Sequence, residues 1–279
     1  MPFIKKYNVD FYLDDNQIVL KDSYKQHFNP PKITGSRLGG ILNVGDFSSD
    51  VRTWCAMTRI YKEEFDPIYS QAGTIIEPKI KEFVEQATGV KYIQYDPPSI
   101  NYDIFKSNDI FGGIPDGEPI NDQGEVDYNV GPMLEIKTSS IDKFMHKQID
   151  YVFYLQKDEK GYPLIKEKGK KRDSWFNTDG SLVVSKDYQL QLALYCYLRN
   201  ITKGIFAVAF LTVDDYMHPE QFDPSKREIV IANFTLNRSL FEEQVIKYAE
   251  KWYKDYIITG RSPKLSEADK EWFNTWINK

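Results

Sequence analysis

Two short stretches place carboxylates where a folded chain ordinarily puts apolar or turn residues. In "GGIPDGEPI", residues 112–120, Asp116 stands between Pro115 and Gly117. In "GPMLEIKTSS", residues 131–140, Glu135 and Lys137 are two apart in an otherwise apolar run. On a strand, residues i and i+2 share a face, so Glu135 and Lys137 project together while Leu134 and Ile136 point to the opposite, packed side. If the two stretches are antiparallel neighbours, the Asp116 carboxylate reaches the same spot as Glu135. Two facing carboxylates repel unless a cation lies between them. Mg2+ suits that place, because it prefers oxygen ligands and is typically held by one or two carboxylates together with substrate phosphate oxygens. Asp116, Glu135 and the backbone carbonyl of Ile136 supply three such oxygens, with Mn2+ as a substitute ion. Lys137 is placed to orient or help deprotonate an attacking water and to neutralise charge developing on a phosphate. These residue types fit phosphodiester hydrolysis; the bland alternative is a surface salt bridge on an edge strand.

Other positions bear on the same chemistry. Glu77 shares a helical face with positions 80 and 84, so its carboxylate leans toward the apolar stripe; otherwise it is half of a surface pair with Lys81. Gln191 and Tyr195, four apart, share one face of a helix, either as a polar shoulder with a snorkelling tyrosine or beside a site. Ser36 precedes a helical turn, where a serine either caps the helix or, with free backbone amides, binds a phosphate. The run "KEKGKKR", residues 166–172, contributes Lys168, Lys170, Lys171 and Arg172 and is followed by Trp175 and Phe176. That mix suits DNA with stacked bases, against the reading of a solvated loop.

The elements that must position these groups follow from periodicity and punctuation. Residues 1–31 read as an irregular or strand-like opening segment, closed by prolines 30 and 31. A short helical piece follows Ser36, and helices are expected over about 51–65 and 70–88. "VKYIQYD", one or two strands within 99–120, a turn at "NDQG" and the Glu135 strand make the middle of the chain a β-meander. A helix through "DYQLQLALYCYLRN", strands at "GIFAVAFLTVDD" and "REIVIANFTL", and a terminal helix ending at Gly260 complete a single α/β domain. Its central mixed sheet is flanked by helices, with a core over about 33–250 and a polar, basic insertion over about 156–187.

At 279 residues, with 41% hydrophobic and 15% aromatic content, the chain has ample material for such a core. No run of eighteen apolar residues occurs, and the first residues turn polar before a signal segment forms, so a cytoplasmic protein without a membrane partner is expected. Cys55 and Cys196 lie 141 positions apart without a metal-binding spacing. The net charge of −5 argues on totals against a nucleic-acid partner, although totals conceal patches.

Taken in order, "ITGS" at 33–36, "GTIIEPKI" at 73–80, the "IPDG" and "LEIK" pair, and "YQLQLALY" at 188–195 resemble the PD-(D/E)xK nuclease superfamily. More narrowly, the chain looks like the phage-type alkaline exonucleases, the YqaJ-like viral recombinases related to lambda exonuclease. The resemblance covers about residues 33–200. It implies a restriction-endonuclease-like core and a Mg2+-dependent exonuclease that degrades linear duplex DNA in recombination from the 5′ end. In that reading Asp116 and Glu135 bind the metal, Glu77 assists, and Gln191 and Tyr195 lie beside the metal and orient substrate or Lys137. Ser36 helps hold a terminal phosphate. The family's partner arginine is replaced by Asn29, leaving Lys32 or Arg37 as substitutes. Members of the group form rings and work with a single-strand annealing protein, so a homo-oligomer and such a partner are expected by resemblance alone. The 53 residues between Lys137 and Gln191 exceed the family's compact link. A structure-specific or restriction-like endonuclease of the same superfamily and an inactive nuclease-derived DNA-binding protein are the alternatives. An iron–sulfur nuclease is disfavoured, since the cluster needs four cysteines and two are present.

Overall fold

A computed structural model describes residues 4–45, 49–62 and 66–277. The chain opens with a hairpin of β1 (Phe11–Asp14) and β2 (Gln17–Leu20), turned by Asp15 and Asn16, whose positive φ values suit a two-residue hairpin turn. The single turn α1 (Asp22–Lys25) and α2 (Gly35–Ile41) follow. The helix α3 (Asp50–Met57) starts where the Ser49 hydroxyl accepts the Arg52 amide, and α4 (Pro67–Thr88) starts at an Asp66 cap. Next come β3 (Lys91–Ile93), β4 (Glu118–Ile120), which pairs antiparallel with β3, and β5 (Met133–Ser140), the strand of Glu135 and Lys137.

Between β5 and the next long helix lies an excursion of β6 (Lys143–Phe144), β7 (His146–Ile149), β8 (Val152–Leu155), β9 (Ile165–Glu167) and the single turn α5 (Lys170–Asp173). Within it β6 pairs with β9 and β7 with β8, both antiparallel. The chain then forms α6 (Lys186–Leu198), β10 (Lys203–Leu211), the short α7 (Val213–Met217) and β11 (Ile229–Thr235). The terminal helix runs from α8 (Arg238–Phe241) through α9 (Lys247–Trp252), with π-helical turns at Glu242–Ile246 and Tyr253–Ile258, and α10 (Glu267–Ile277) follows.

The mixed sheet has the order β11-β10-β5, with β10 antiparallel to β11 and parallel to β5. A parallel pair requires a crossover, which α6 supplies. The strand β10 is buried on both faces, as its unbroken apolar run requires. One face, with Ile205, Ala207 and Ala209, packs with Leu134 and Ile136 against Ile76, Ile80 and Val84 of α4. The other, with Phe206, Val208 and Phe210, joins Leu38, Trp54, Leu194 and the C-terminal helices. The layers are therefore α4 with α7, the sheet, and a second helical layer that includes α2, α3, α6 and the C-terminal helices.

The fold departs from the sequence reading in four places. The middle of the chain is not a meander, because β5 pairs with the later β10, and most of residues 99–117 is turn and loop. The Asp103 carboxylate holds that loop by accepting the amides of Phe105 and Gly113. The helix expected over 51–65 stops at Met57; Arg59 takes a positive φ and Thr58 turns its hydroxyl onto the Trp54 carbonyl. Positions 63–65 of that expectation lie outside the described residues. The excursion begins at Lys143, earlier than 156, and α10 follows the expected last helix.

Candidate active site

The strand β5 presents its free edge to the Asp116 stretch. Gly117 and Leu134 exchange both backbone hydrogen bonds, at 3.2 and 2.9 Å, in an antiparallel bridge. That pairing carries Asp116 one residue along the edge, where its Oδ2 accepts the Ile136 amide at 2.7 Å. Ile136 thus turns its peptide groups toward Asp116 rather than toward β10, which leaves its carbonyl on the same edge. Leu134 and Ile136 are buried under α4, as alternation requires, so Glu135 and Lys137 face the α6 side.

Glu135 is fully buried, and neither of its carboxylate oxygens accepts a hydrogen bond. Its single strong partner is Lys137, whose Nζ lies 2.6 Å from Oε1 as an ion pair without hydrogen-bond alignment. The Lys137 Nζ also donates to Gln191 Oε1 at 3.2 Å and sits 4.7 Å from the centre of the Tyr188 ring. Gln191 therefore orients Lys137. It reaches that place because α2 and α6 cross closely: a Cβ at Gly35 would lie 2.8 Å from Gln191 Cγ, so only glycine allows the approach.

Glu77 comes from α4. Its side chain folds back over Gly73, where an added Cβ would lie 3.3 Å from Oε1, and Lys81 is engaged with Glu85 at 3.0 Å rather than with Glu77. Pro78 leaves the Thr74 carbonyl without its helical donor, yet α4 continues because Ile76 and Ile80 are buried against the sheet. Glu77 lies within electrostatic reach of Asp116 and Lys137.

Three carboxylates thus face one lysine, and their proton affinities record the imbalance. Burial, and then the Asp116 charge, push the Glu135 carboxyl up to about 8; the same two causes push Glu77 up to about 7. Burial also raises Asp116, against the pull of Lys137. Burial works against the Lys137 ammonium, but the Glu135 and Asp116 carboxylates outweigh it and hold its pKa above the ordinary lysine value. A fully buried carboxylate with one oxygen ion-paired to Lys137 and the other without a donor, beside a second carboxylate and a backbone carbonyl, offers the kind of oxygen donors that a hard divalent cation takes. Among the described residues no three His, Cys, Asp or Glu side chains converge as a ready-made ligand cluster. An ion here would rest on Asp116, Glu135 and the Ile136 carbonyl, with Glu77 behind them.

Tyr195 parts company with Gln191. It is 4% exposed, its ring is stacked on Phe105 at 5.9 Å, and it fills the space beside Gly113, where a Cβ would lie 2.6 Å from its hydroxyl. It packs beside the Asp116 stretch, within electrostatic reach of Glu135, Asp116 and Lys137. Sequence reasoning missed Tyr188, although its spacing of three from Gln191 puts it on the same helical face. It also missed the prop under β4, which no local pattern announces. Glu118, fully buried, accepts both guanidinium branches of Arg199 at 2.6 and 2.8 Å and the hydroxyls of Tyr95 and Tyr128.

The phosphate set is scattered. Thr34, not Ser36, is the N-cap residue of α2; Ser36 is exposed within the first turn, with its Oγ 3.1 Å from that of Thr34. Arg37 is half-buried and has no ion pair among the described residues, whereas Lys32 is committed to Asp103 at 2.8 Å and the Phe105 carbonyl at 2.9 Å. That commitment takes Lys32 out of the set. In the basic run, Arg172 is bound twice by Glu228, at 2.8 and 2.6 Å, and Lys170 pairs with Asp173 at 3.0 Å. Lys168 and Lys171 are exposed without an ion pair among the described residues. Trp175 is buried, donating to Ser139 Oγ at 2.9 Å, and Phe176 packs on Phe210, so neither ring is the base platform expected from the sequence.

The chain is 46% identical over 277 residues to the uncharacterized protein MG373 of Mycoplasma genitalium, covering 98% of both chains. It is 44% identical over 275 residues to the MG373 homolog of Mycoplasma pneumoniae, again covering 98% of both. No family profile matches it. Among solved structures it is similar to an alkaline exonuclease from Laribacter hongkongensis, with a TM-score of 0.48 at 11% identity over 80% of this chain and 87% of that one. It is also similar to a phage-related exonuclease from Haemophilus somnus 129PT, with a TM-score of 0.48 at 14% identity over 82% and 96%.

Proposed function

We propose that this chain, which belongs to the family of the uncharacterized Mycoplasma protein MG373, is a divalent-metal-dependent deoxyribonuclease acting on linear duplex ends. The observation that carries the reading is Glu135, completely buried between Asp116 and Lys137, with Lys137 ion-paired to Oε1 and no hydrogen-bond donor on Oε2. A structural ion pair would leave no such surplus of acceptors, since buried carboxylates are normally hydrogen-bonded. Asp116, Glu135 and the Ile136 carbonyl would hold Mg2+ or Mn2+, which supplies Lewis-acid polarisation of the phosphate.

The chain's own groups do the rest. Lys137 holds its ammonium, steered by Gln191 and Tyr188, where it stabilises charge developing on the phosphate and fixes the attacking water. Glu77 stands behind these oxygens, where its raised pKa suits it to accept a proton near neutrality. The Glu118–Arg199 prop keeps the Asp116 stretch against β5. Ser36 and Arg37, on the adjacent start of α2, are the groups left to grip a terminal 5′ phosphate, and recombination with an annealing partner is the biological setting this activity fits.

The test is the purified protein with Mg2+ on matched DNA that is linear with 5′ phosphate, linear with 5′ hydroxyl, or covalently closed. Loss of the linear forms with survival of the circles is expected. Circles cut as fast as linear DNA make the enzyme an endonuclease, and intact DNA in all three arms overturns the enzymatic reading.

A further inference from the structure

One residue beyond Lys137, β5 runs into a groove of about 890 Å³. Residues 138–140 of β5 line one part of it, the excursion after β5 another, and the start of α6 a third, with Tyr69 of α4 opposite. In a chain of net charge −5, four lysines line this groove and, among the described residues, a single aspartate, Asp187. Lys171 and Lys186 are exposed and form no ion pair among the described residues. Lys143 and Lys170 have only surface partners, Glu167 at 3.3 Å and Asp173 at 3.0 Å, which a polyanion displaces at little cost. Lys147, Lys157, Lys160, Lys166 and Lys168 of the same excursion are not among the lining residues, and Arg172 is held by Glu228.

A local positive excess in an acidic protein selects a polyanion. The volume is in the range of a ligand cleft. Half-buried Tyr69 and exposed His146 line the groove along with the lysines, a combination of rings and cations that suits unpaired bases. Tyr188 joins the groove to the carboxylates, since its ring lines the groove and contacts the Lys137 ammonium.

We propose that this groove holds a few nucleotides of a single nucleic-acid strand, gripping its phosphates with Lys171 and Lys186 and leading it to Lys137. What lies at the end of the path rests on the nuclease reading above; the binding itself does not. The excursion is then part of the substrate site, and the enzyme engages its duplex end through one separated strand.

The experiment is fluorescence anisotropy in EDTA, without turnover, on labelled twelve-nucleotide oligothymidylate, oligouridylate and a blunt hairpin duplex. The proteins are the full chain, Lys171→Gln/Lys186→Gln and the control Lys147→Gln/Lys160→Gln, at exposed lysines outside the groove, with thermal melting to verify that each is folded. The full chain should bind a single strand more tightly than the duplex, and the two single-stranded probes show whether DNA or RNA is preferred. Each phosphate contact contributes about 0.7 to the slope of log K against log salt, so the groove variant should lose about 1.4 of that slope. Its affinity at low salt should fall on the order of tenfold, with the control unchanged. Equal binding of the duplex, an unchanged slope in the groove variant, or an equal loss in the control overturns the proposal. If the groove variant behaves as expected while DNA is never hydrolysed with Mg2+, the nuclease reading fails and the groove stands. Hydrolysis with lysine-independent binding gives the reverse.

Discussion

Replacing Glu135 by glutamine should stabilise the metal-free protein at alkaline pH while removing its response to divalent ions. Folding buries this carboxyl completely and raises it from 4.5 to about 8. At about 1.4 kcal/mol per unit, ionising it inside the fold costs about 4 to 5 kcal/mol. Because the folded pKa lies above the unfolded one, the stability carried by the protonated carboxyl is full below about 4.5 and is lost as pH rises through about 8. Glu135→Gln removes that dependence. It also takes the nearest carboxylate from Lys137, whose side chain keeps Gln191 and, at 15% exposure, some contact with water. The expected net gain is about 2 kcal/mol at pH 8.5 in EDTA, and none near pH 4.5. Urea unfolding of both proteins at pH 5, 7 and 8.5, each with EDTA or Mg2+, measures it. Mg2+ should raise wild-type stability more at pH 8.5 than at pH 5, since its ligands must first lose their protons, and should leave the variant unmoved. A wild type whose stability is flat across this range, or a variant less stable at pH 8.5, refutes the account of a charge-strained, cation-seeking site.

Two further outcomes follow from the groups around the site. Arg199→Met leaves Glu118 buried without its cation and should lower stability by about 3 kcal/mol in urea unfolding, whereas removing a surface pair such as Lys247 with Glu243 should leave the midpoint essentially unmoved. Gly113→Ala adds a Cβ 2.6 Å from the Tyr195 hydroxyl at φ 132°, and should cost more than about 1 kcal/mol in the same assay and reduce kcat through the neighbouring Asp116.

The site was legible in the sequence to the extent that it follows from strand alternation. Leu134 and Ile136 are packed, Glu135 and Lys137 share the other face, and a turn at 121–124 precedes them, all from period-two reasoning. The long helix carrying Glu77 was equally legible because its apolar spacing and its ends are local signals. Pairing was not, because the partner of β5 lies some seventy residues later and nothing in "GPMLEIKTSS" says whether it joins a meander or a parallel pair. Residues 99–117 misled for a related reason: their apolar residues alternate, yet the side chains of Asp103 and Asn108 accept their backbone amides and fix them as a loop. Trp175 beside lysines reads as a base platform until its indole is seen bonded to Ser139. The helix α10 carries Trp272, Phe273 and Trp276 on a buried stripe, a pattern available in the sequence beyond Gly260.

The most direct measurement of the central claim is the release of acid-soluble nucleotides from labelled linear DNA by wild-type protein and Lys137→Met, with Mg2+ and with EDTA. The site as described predicts release by the wild type in Mg2+, none in EDTA, and a loss of about 100-fold or more in kcat for Lys137→Met, with Mg2+ still stabilising the variant. Undiminished release in EDTA, or by Lys137→Met in Mg2+, contradicts it.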